Sequence, residues 1–455
     1  MLTYELKKAP GMPLYESLYR CIREDILSGN LAPGEKLPSK RTLCTNLKVS
    51  KITVESAYNQ LLSEGYIRSE EKVGYFVEAV ERAERKTVRE VSAEPETQQV
   101  IDLAGNGPAR FPFSVWSHLQ REVMLDLGEQ LLLEMDNQGL FPLRQAIVQH
   151  LAQFRGMQVS PGNVLIGAGT DFLYNLLIQL LGRDKCYAVE EPGYSKIRRI
   201  YAAGGAECIG VPLDHQGVIP EHLEQAQVLH ISPSHHFPTG LVTPLSRRLE
   251  LLNWARERQD RWIIEDDYDS EFRFAAHPMP TMQSLDREGK VIYMNTFSKT
   301  LAPSIRISYM VLPDELMAQF REKLGFYSCT VPSFEQYTLA RFLSRGHFEK
   351  HINRMRKFYK ARRNRVMAAI TQNPMADHLA ILEENAGLHF LVRFEEDADQ
   401  QRILERFAQT GIRVRSLSSY YHGQAPEWAQ RSLVINYSGL SDEALESLEE
   451  SLKTL

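Results

Sequence analysis

For about 350 residues the sequence alternates short apolar runs with segments of helical spacing, and this alternation restricts the fold more than any other feature. The runs are NVLIGAG, CYAVEEPGY, VLHISPSH, WIIEDDYDSEF and VIYMNTFSK, beginning at residues 163, 186, 228, 262 and 291. Uninterrupted apolar runs joined by helices are typical of a parallel sheet that helices cover on both faces. We therefore predict an α/β fold for this part of the chain.

Ahead of this region, a block of small elements predicts a winged helix-turn-helix over residues 11–78. Its predicted elements are three helices and a hairpin, over residues 13–29, 40–47, 51–65 and 66–80. Gly29 provides a stop for the first helix, while Ser39 and Ser50 are suitable N-caps for the second and third. A helix, a helix-turn-helix and a hairpin in this order are typical of a DNA-binding domain.

The two regions are separated by a charged segment, residues 79–100, in which apolar periodicity is almost absent. Such composition predicts a solvated linker. We therefore divide the chain into a winged helix-turn-helix at 11–78, a linker at 79–100 and a large domain at 101–455. Within the large domain, residues 331–455 combine long charged helices with two strand patterns, which indicates a smaller α+β C-terminal subdomain.

Composition excludes several classes of protein. With 43% hydrophobic and 24% charged residues among 455, the chain is typical of folded globular proteins. Its five cysteines are scattered and include no CxxC pair, which argues against a disulfide framework or a thiolate zinc site and favours a reducing compartment. The first residues lack the apolar core of a secretory signal, and the strongest apolar stretch, 172–181, is too short to span a bilayer. We predict a cytoplasmic protein without a membrane partner.

A net charge of -5 gives no global indication of nucleic-acid binding, so that prediction depends on a local patch. Between Lys36 and Lys51 there are five basic residues and no acidic one. This is where phosphate contacts would position a recognition helix in the major groove, although charge alone is equally typical of a solvated face. The predicted DNA contacts are Ser39, Lys40, Arg41, Ser50, Lys51, Thr53 and Lys72.

The amino-acid sequence of this block also resembles the GntR family of bacterial transcription regulators. The matching stretches are PLYESLYRCIREDILSGNLAPGEKLPSKRTL, VSKITVESAYNQLLSEGYI and VGYFV. The resemblance implies that the block binds a double-stranded DNA operator. Lys51 stands where the family commonly has arginine and Lys48 where it has glycine. Because lysine lacks the bidentate guanidinium fork, guanine readout from position 51 is in doubt.

In the large domain the stretch NTFSKTLAPSIR places Lys299 between a buried-strand pattern and a turn. A lysine amine with a lowered pKa can bond covalently to an aldehyde cofactor, and pyridoxal 5′-phosphate (PLP) also requires a carboxylate, a hydroxyl donor, an aromatic face and phosphate anchors. The sequence offers a residue for each requirement near predicted strand ends, where open α/β sheets bind ligands. These residues are Asp266, Tyr268, Tyr194, Gly169, Thr170, Thr296, Ser298 and Arg306. Taken singly, each is more readily explained by packing, capping or a solvated turn.

The order of these motifs resembles the fold-type I aminotransferases and, more closely, the MocR group, in which a GntR domain is fused to an aminotransferase-like domain. The resemblance runs through MDNQGLFPLRQAI, LIGAGTDFLYNLL, VEEPGYSKIRR, SPSHHFPTG, IIEDDYDSEFR, NTFSKTLAPSIR and GIRVRSLSSYY. It implies that Lys299 carries the cofactor as an internal aldimine, that Asp266 pairs with the ring nitrogen and that Tyr268 pairs with the ring oxygen. It further implies a stacking role for Tyr194 and a phosphate-binding role for the remaining residues, Gly169, Thr170, Thr296, Ser298 and Arg306.

The chain departs from the family's sequence motifs at two places. Ser304 and Ser308 replace two glycines after the lysine, and Val434 stands where aminotransferases place an arginine that grips the substrate carboxylate. Arg413, Arg415 and Arg431 are nearby alternatives whose spacing or register differs. These departures argue against efficient transamination. His235 and His236 occupy the segment where aminotransferases have an asparagine, so either could face the cofactor.

Three functions follow as hypotheses. The leading one is a dimeric, PLP-binding transcription regulator that responds to PLP or an amino-compound effector and controls genes of vitamin B6 or amino-acid metabolism. The second is an active aminotransferase with an accessory DNA-binding domain, and the third is a cofactor-free interaction protein. Metal binding is not predicted, because the pairs His347–His351 and His235–His236 have no third ligand at suitable spacing.

Overall fold

The structure is a computed structural model of the chain. It describes residues 4, 13–71, 73–79, 101–103, 110–274, 279–372, 376–385, 387–395, 404, 405, 407, 409 and 411–453. The chain divides into two compact units, Met1–Pro95 and Glu96–Leu455. Nearly all of the predicted linker, from residue 80 to residue 100, lies outside the described residues.

The first unit contains the elements of a winged helix-turn-helix. They are α1 (Leu14–Ser28), α2 (Lys40–Leu47), α3 (Lys51–Ser63), β1 (Ile67–Glu70) and β2 (Gly74–Val77). The Ser39 and Ser50 side chains accept hydrogen bonds from the backbone N–H groups of Thr42 and Thr53, so each serine caps the helix that follows it. Gly29 ends α1 with φ 83°, a left-handed conformation that glycine adopts without strain.

A small apolar core holds the three helices and the hairpin together. Leu18 and Ile22 of α1, Leu43 of α2, Leu61 of α3 and Val77 of β2 are all buried within it. On α1 these residues lie four apart, so a single face of the helix supplies the contacts. The N-terminal end of α3 is exposed and takes no part in this core.

The second unit contains twelve helices among the described residues. They are α4 (Phe113–Leu127), α5 (Phe141–Arg155), α6 (Thr170–Leu181), α7 (Ser195–Ala203), α8 (Leu245–Arg256), α9 (Met282–Leu285), α10 (Phe297–Thr300), α11 (Asp314–Leu324), α12 (Ser333–Ser344), α13 (His347–Thr371), α14 (Glu427–Gln430) and α15 (Asp442–Lys453). None of the helices that the structure describes is long and apolar enough to cross a membrane.

Its strands form one large and two small sheets. The strands are β3 (Ile101–Asp102), β4 (Val164–Gly167), β5 (Cys186–Glu191), β6 (Glu207–Asp214), β7 (Gly217–Val218), β8 (Val228–Ile231), β9 (Trp262–Asp267), β10 (Val291–Thr296), β11 (Ser308–Val311), β12 (Leu379–Leu382), β13 (His389–Phe394), β14 (Ile412–Arg413), β15 (Arg415–Ser416) and β16 (Ser432–Asn436). The large sheet has the order β4-β11-β10-β9-β8-β5-β6-β7, and β12-β13-β16-β15 form a second sheet.

The sequence pattern predicted a parallel sheet, whereas the large sheet is mixed. Strands β6, β5, β8, β9 and β10 run parallel, whereas β11 runs antiparallel to both β10 and β4. The reason is the short connection between β10 and β11, which holds only α10 and one further turn. A connection of that length returns the chain directly, whereas a parallel crossover needs a dozen or more residues.

Separate apolar clusters cover the two faces of the large sheet. Because side chains alternate along a strand, Met294 of β10 packs on the face that carries α6, whereas Tyr293 packs on the face that carries α5 and α13. The carboxyl ends of the parallel strands meet at one edge, and β9 and β10 are in register there, with Asp267 opposite Asn295. This edge brings the predicted site residues together.

Candidate functional site

The predicted DNA contacts lie around the N-termini of α2 and α3. Arg41 and Lys51 are exposed, and neither has an ion-pair partner among the residues that the structure describes. Ser39 and Ser50 are exposed helix caps, and Thr53 is half-buried. The predicted contact at Lys72 lies outside the described residues.

Lys40 differs from its neighbours. Its Nζ lies 2.9 Å from Glu55 Oε1 and 5.4 Å from the centre of the Tyr75 ring. The amine therefore ties α2 to α3 and to the hairpin, and its charge is partly neutralised before any phosphate approaches. The pairing of Lys40 with Glu55 was not predicted, because the two residues are far apart in the sequence.

Sequence reasoning missed Ile52, an apolar side chain that is 75% exposed at the start of α3. The buried face of this helix is formed by Val54, Ala57, Tyr58 and Leu61, and Ile52 falls off that face. Apolar side chains at the N-terminus of a recognition helix contact thymine methyl groups in the major groove. The signal in the sequence that could have identified Ile52 is that this apolar residue does not share the helical spacing of the buried face.

In the second unit Lys299 lies on α10, immediately after the end of β10. The Thr296 side chain accepts a hydrogen bond from the backbone N–H of Ser298 and thereby fixes the start of this short helix. Burial lowers the pKa of Lys299 to about 8, against a smaller opposing influence from Asp269. Half of the amine is thus uncharged at about pH 8, and the uncharged amine is the form that reacts with carbonyl groups.

Asp266 is buried near the carboxyl end of β9. Its Oδ2 accepts a hydrogen bond of 2.5 Å from the Tyr174 hydroxyl and lies 3.5 Å from His230 Nε2. Its Oδ1 is buried and has no partner within the described structure. An unsatisfied buried carboxylate oxygen is unfavourable, so this atom is suited to receive a proton donor from a ligand.

Beside it, Tyr268 belongs to a polar group that also contains His235 and Asp269. The Tyr268 hydroxyl lies 3.1 Å from His235 Nδ1, and Asp269 Oδ2 lies 2.9 Å from the same nitrogen. The Nε2 atoms of His235 and of neighbouring His389 are buried without hydrogen-bond partners in the described structure. His235 therefore lies beside Tyr268, and the His236 Nε2 lies 3.6 Å from Glu190 Oε2 in the same site.

The residues predicted to bind phosphate form a second group. The Arg306 Nη2 lies 3.4 Å from both Ala168 O and Asp171 Oδ2, at the N-terminus of α6. Gly169 has φ +90°, and a Cβ atom there would lie 2.2 Å from that Nη2, so only glycine permits this approach. The guanidinium and the first N–H groups of α6 together provide a site for an anion.

The remaining predicted residues border these two groups. Thr170 is the first residue of α6, and Ser308, one of the two serines in place of glycine, donates a hydrogen bond of 2.8 Å to Thr296 Oγ1. The Tyr194 ring is 49% exposed and meets Phe237 edge-on at 6.0 Å. The open face of Tyr194 therefore remains available for stacking.

Val434 is buried in an apolar cluster with Leu391 and Tyr420, so this position of β16 presents no charge. Arg415 of β15 lies directly opposite Val434 in the register of the strands. Residues opposite one another on an antiparallel pair share a face of the sheet. Of the three alternative arginines, Arg415 is consequently the one that shares a face with Val434, whereas Arg413 forms an ion pair with Asp102.

Four residues of the site were not predicted from the sequence: Tyr174, Glu190, Asp269 and His389. Burial raises the pKa of Glu190 to about 8, so this carboxyl group is largely neutral at pH 7. Potential metal-ligating atoms of His235, Asp269 and His389 lie within 4.8 Å of one another, although the three residues are far apart in sequence. Only Asp269 carried a local signal, its place in the acidic stretch that follows β9.

These residues fit PLP. The open Oδ1 of Asp266 matches a protonated ring nitrogen, and the cradle formed by Gly169 and Arg306 matches a phosphate group. Lys299, on the short helix that follows β10, supplies an amine with a lowered pKa. The donor set is the one that this cofactor requires.

Comparison with protein families assigns both units. Residues 14–77 match the family of bacterial regulatory proteins called gntR, and residues 98–452 match aminotransferase class I and II. Among solved structures, Pyrococcus horikoshii kynurenine aminotransferase superimposes with a TM-score of 0.67 at 28% identity, covering 79% of this chain and 92% of that one.

Three curated relatives align with this chain across both units. The HTH-type transcriptional regulator YdeL of Bacillus subtilis is 36% identical over 100% of this chain and 98% of its own length. The probable rhizopine catabolism regulatory protein MocR of Rhizobium meliloti is 32% identical, over 99% and 95%. The pyridoxine biosynthesis regulator PdxR of Corynebacterium glutamicum is 31% identical, over 93% and 92%. The chain therefore belongs to the GntR-family transcription regulators of the MocR type, in which a winged helix-turn-helix is joined to a domain of the aminotransferase class I and II family.

Proposed function

We propose that this regulator holds PLP on Lys299 and that occupancy of this site changes its affinity for an operator. The observation that carries the proposal is the Lys299 amine, whose pKa burial lowers to about 8 in a site that also contains the open Oδ1 of Asp266. Bound PLP supplies an aldehyde to which a lysine amine attaches covalently. The chain's own residues explain how it would be held.

Each residue of the site has a distinct role in this proposal. Asp266, held by Tyr174, keeps a proton on the ring nitrogen, and Tyr268 donates its hydroxyl proton to the ring oxygen. Arg306 and the N-terminus of α6 bind the phosphate. Tyr194 stacks on the ring, while Thr170, Thr296 and Ser298 provide further donors to the phosphate. The same contacts make the site specific for a phosphorylated pyridine.

The target genes and the assembly extend this proposal. The names of the relatives PdxR and MocR refer to pyridoxine biosynthesis and rhizopine catabolism. We propose genes of vitamin B6 or amino-compound metabolism, with PLP itself or an amino compound as effector. A homodimer built on the second unit would allow two DNA-binding units to read repeated half-sites.

The second proposed function, an active aminotransferase, is favoured by one observation. Arg415 lies opposite Val434 in the register of the strands, so a guanidinium is present near the position where a carboxylate arginine is missing. Val434 itself argues against efficient turnover, because a buried apolar side chain cannot bind a carboxylate. Measured ketoacid release from amino donors over many cycles distinguishes the two functions.

The direct test of the regulator function is operator binding with and without PLP. The operator is selected in vitro from random DNA, and its affinity is measured by fluorescence anisotropy at fixed salt. We expect PLP to change the dissociation constant by about 5-fold or more, the usual size of an allosteric coupling. Pyridoxine, which lacks both the aldehyde and the phosphate, serves as the control ligand. An unchanged operator affinity at saturating PLP would contradict the proposal.

Covalent capture of PLP is expected to depend on pH through Lys299. Because the folded pKa is lowered from 10.5 to about 8, the reactive free amine is present above about pH 8 and is lost as the pH falls below it. The rate of capture should therefore rise with pH and reach half its maximum near pH 8. Stopped-flow absorbance from pH 6.5 to 9.5 measures this profile. A rate that still rises tenfold per pH unit up to pH 9.5 would show that burial does not tune the amine.

A further inference from the structure

A cavity of about 520 Å³ lies on the face of the large sheet that carries α5 and α13. Its walls come from the C-terminal end of α5, the segment after β9 and the N-terminal half of α13. The residues that matter for its chemistry are Phe154, Arg155, Ser270, Glu271, Arg273 and Arg356. None of the predicted PLP contacts lines it.

Strand alternation separates this cavity from the cofactor site. Asp266 contacts Tyr174 of α6, whereas the next residue, Asp267, contacts Arg155 of α5 at 2.7 Å. Successive residues of a strand point to opposite faces of the sheet. The cavity therefore lies on the opposite face from the open Asp266 Oδ1, and it is a second site.

Several buried polar atoms in the cavity wall have no partner in the part of the chain that the structure describes. They are Ser270 Oγ, Glu271 Oε2 and Arg155 Nε. Ser270 is only 4% exposed, and the Arg155 side chain is only 7% exposed. Buried polar groups are normally hydrogen-bonded, so these atoms indicate that the cavity receives a polar ligand or water.

The charge of the wall favours an anion. Arg155 is neutralised by Asp267, but Arg273 is half-buried and has no hydrogen bond or ion pair with any described residue. Burial and the positive charge of Arg155 lower the pKa of Arg273, against an opposing influence from Asp267. Towards the described residues Arg356 uses only Nε, which donates to the Glu271 backbone oxygen at 2.5 Å. Two guanidinium groups thus have free N–H donors.

Acidic residues in the wall limit that preference to a single negative charge. Glu349 is exposed at the rim, and Glu271 belongs to the wall. Two guanidinium groups with free donors that face two acidic side chains leave little net charge, which suits a monoanion better than a dianion. A carboxylate also matches the planar guanidinium fork.

The apolar side of the cavity is aromatic. The His150 ring lies 4.8 Å from the Phe154 ring and 5.1 Å from the Phe348 ring, measured between centroids. Burial lowers the pKa of His150 to about 4, so the imidazole is neutral and takes part as a flat surface. Such rings bind a flat ligand by offset or edge-on contact.

We propose that this cavity is a second ligand site, distinct from the PLP site, that binds a small aromatic carboxylate. Its carboxylate lies between Arg273 and Arg356, its ring packs on Phe154 and Phe348, and Ser270 donates a further hydrogen bond. Nothing in this proposal requires PLP to be bound, because the two sites occupy opposite faces of the sheet.

Indole-3-acetate is the probe for the test, titrated into the full-length protein by isothermal calorimetry. We expect saturable binding of one probe per chain, about tenfold weaker after Arg273→Gln, because a hydrogen bond to a charged group is lost. Arg287→Gln, which changes an exposed arginine outside the cavity, should leave the affinity unchanged. Asn353→Trp places a bulky ring at the rim of the cavity and should abolish binding.

Several outcomes would overturn the proposal. One is a lack of heat at millimolar probe, and another is an unchanged affinity in both Arg273→Gln and Asn353→Trp. Displacement of the probe by equimolar inorganic phosphate would show an anion site of the wrong chemical class. Lys299→Ala distinguishes this site from the proposed PLP site: binding should persist in that variant, and loss of binding there would place the probe at the cofactor site instead.

Discussion

Replacement of Lys299 by alanine is expected to abolish covalent attachment of PLP and, with it, the response of operator affinity to PLP. Treatment with borohydride should leave a pyridoxyl group on the peptide containing residue 299 of the unmodified chain and on no peptide of the variant. The reason is that Lys299 combines a lowered pKa with a position at the end of β10, within the site that contains Asp266 and Tyr268. Peptide mass mapping and anisotropy measure the two effects.

Lys323→Ala is the matched control, because this lysine lies on α11 and hydrogen-bonds only Gln319 among the described residues. It should retain both the pyridoxyl group and the response to PLP. A pyridoxyl group on another lysine of the Lys299→Ala variant would contradict the assignment of Lys299. A retained response of operator affinity without any adduct would show that covalent attachment is unnecessary for regulation.

The second large effect concerns DNA. Replacing both Arg41 and Lys51 by glutamate is expected to weaken operator binding on the order of 100-fold at 0.1 M salt, because each substitution exchanges a phosphate contact for repulsion. Both side chains are exposed at the N-termini of α2 and α3. The slope of log affinity against log salt concentration should become less steep by about 2, one for each lost contact. Anisotropy at several salt concentrations measures both quantities.

Arg20→Glu is the control for this experiment, because Arg20 is an exposed residue of α1 that pairs with Glu16. Operator affinity should change little in this variant. Capture of PLP should be normal in all of these proteins, since the substitutions lie in the first unit. If the double variant bound the operator as tightly as the unmodified chain, the proposed DNA face would be wrong.

Local patterns predicted the first unit closely. The three helices begin at Leu14, Lys40 and Lys51, within a residue of the predicted positions, because caps and turn residues mark the ends of short helices in the sequence itself. The same holds for the strands that precede Asp266 and Lys299, whose apolar runs were long and uninterrupted. Such signals depend on neighbouring residues and require no knowledge of the tertiary fold.

Long-range pairing was not accessible in the same way. The contact between Lys40 and Glu55, the hydrogen bond from Tyr174 to Asp266 and the antiparallel direction of β11 all join residues whose separation in sequence carries no pattern. His389 reaches the site only because the C-terminal sheet packs near His235, with the two rings 4.6 Å apart. Sequence-based prediction consequently named the chemical groups more completely than their partners.

From residue types and their order alone, one can conclude that a DNA-binding unit precedes an α/β domain with a lysine, a carboxylate and an arginine suited to PLP. Folding decided which face of the sheet each group occupies, and therefore placed Asp266 against Tyr174 and Asp267 against Arg155 on opposite faces. It also lowered the pKa of Lys299 through burial and left Arg273 without a partner among the described residues. Both outcomes arise because desolvation and pairing depend on distances between segments, which are set only when the sheet and its covering helices pack together.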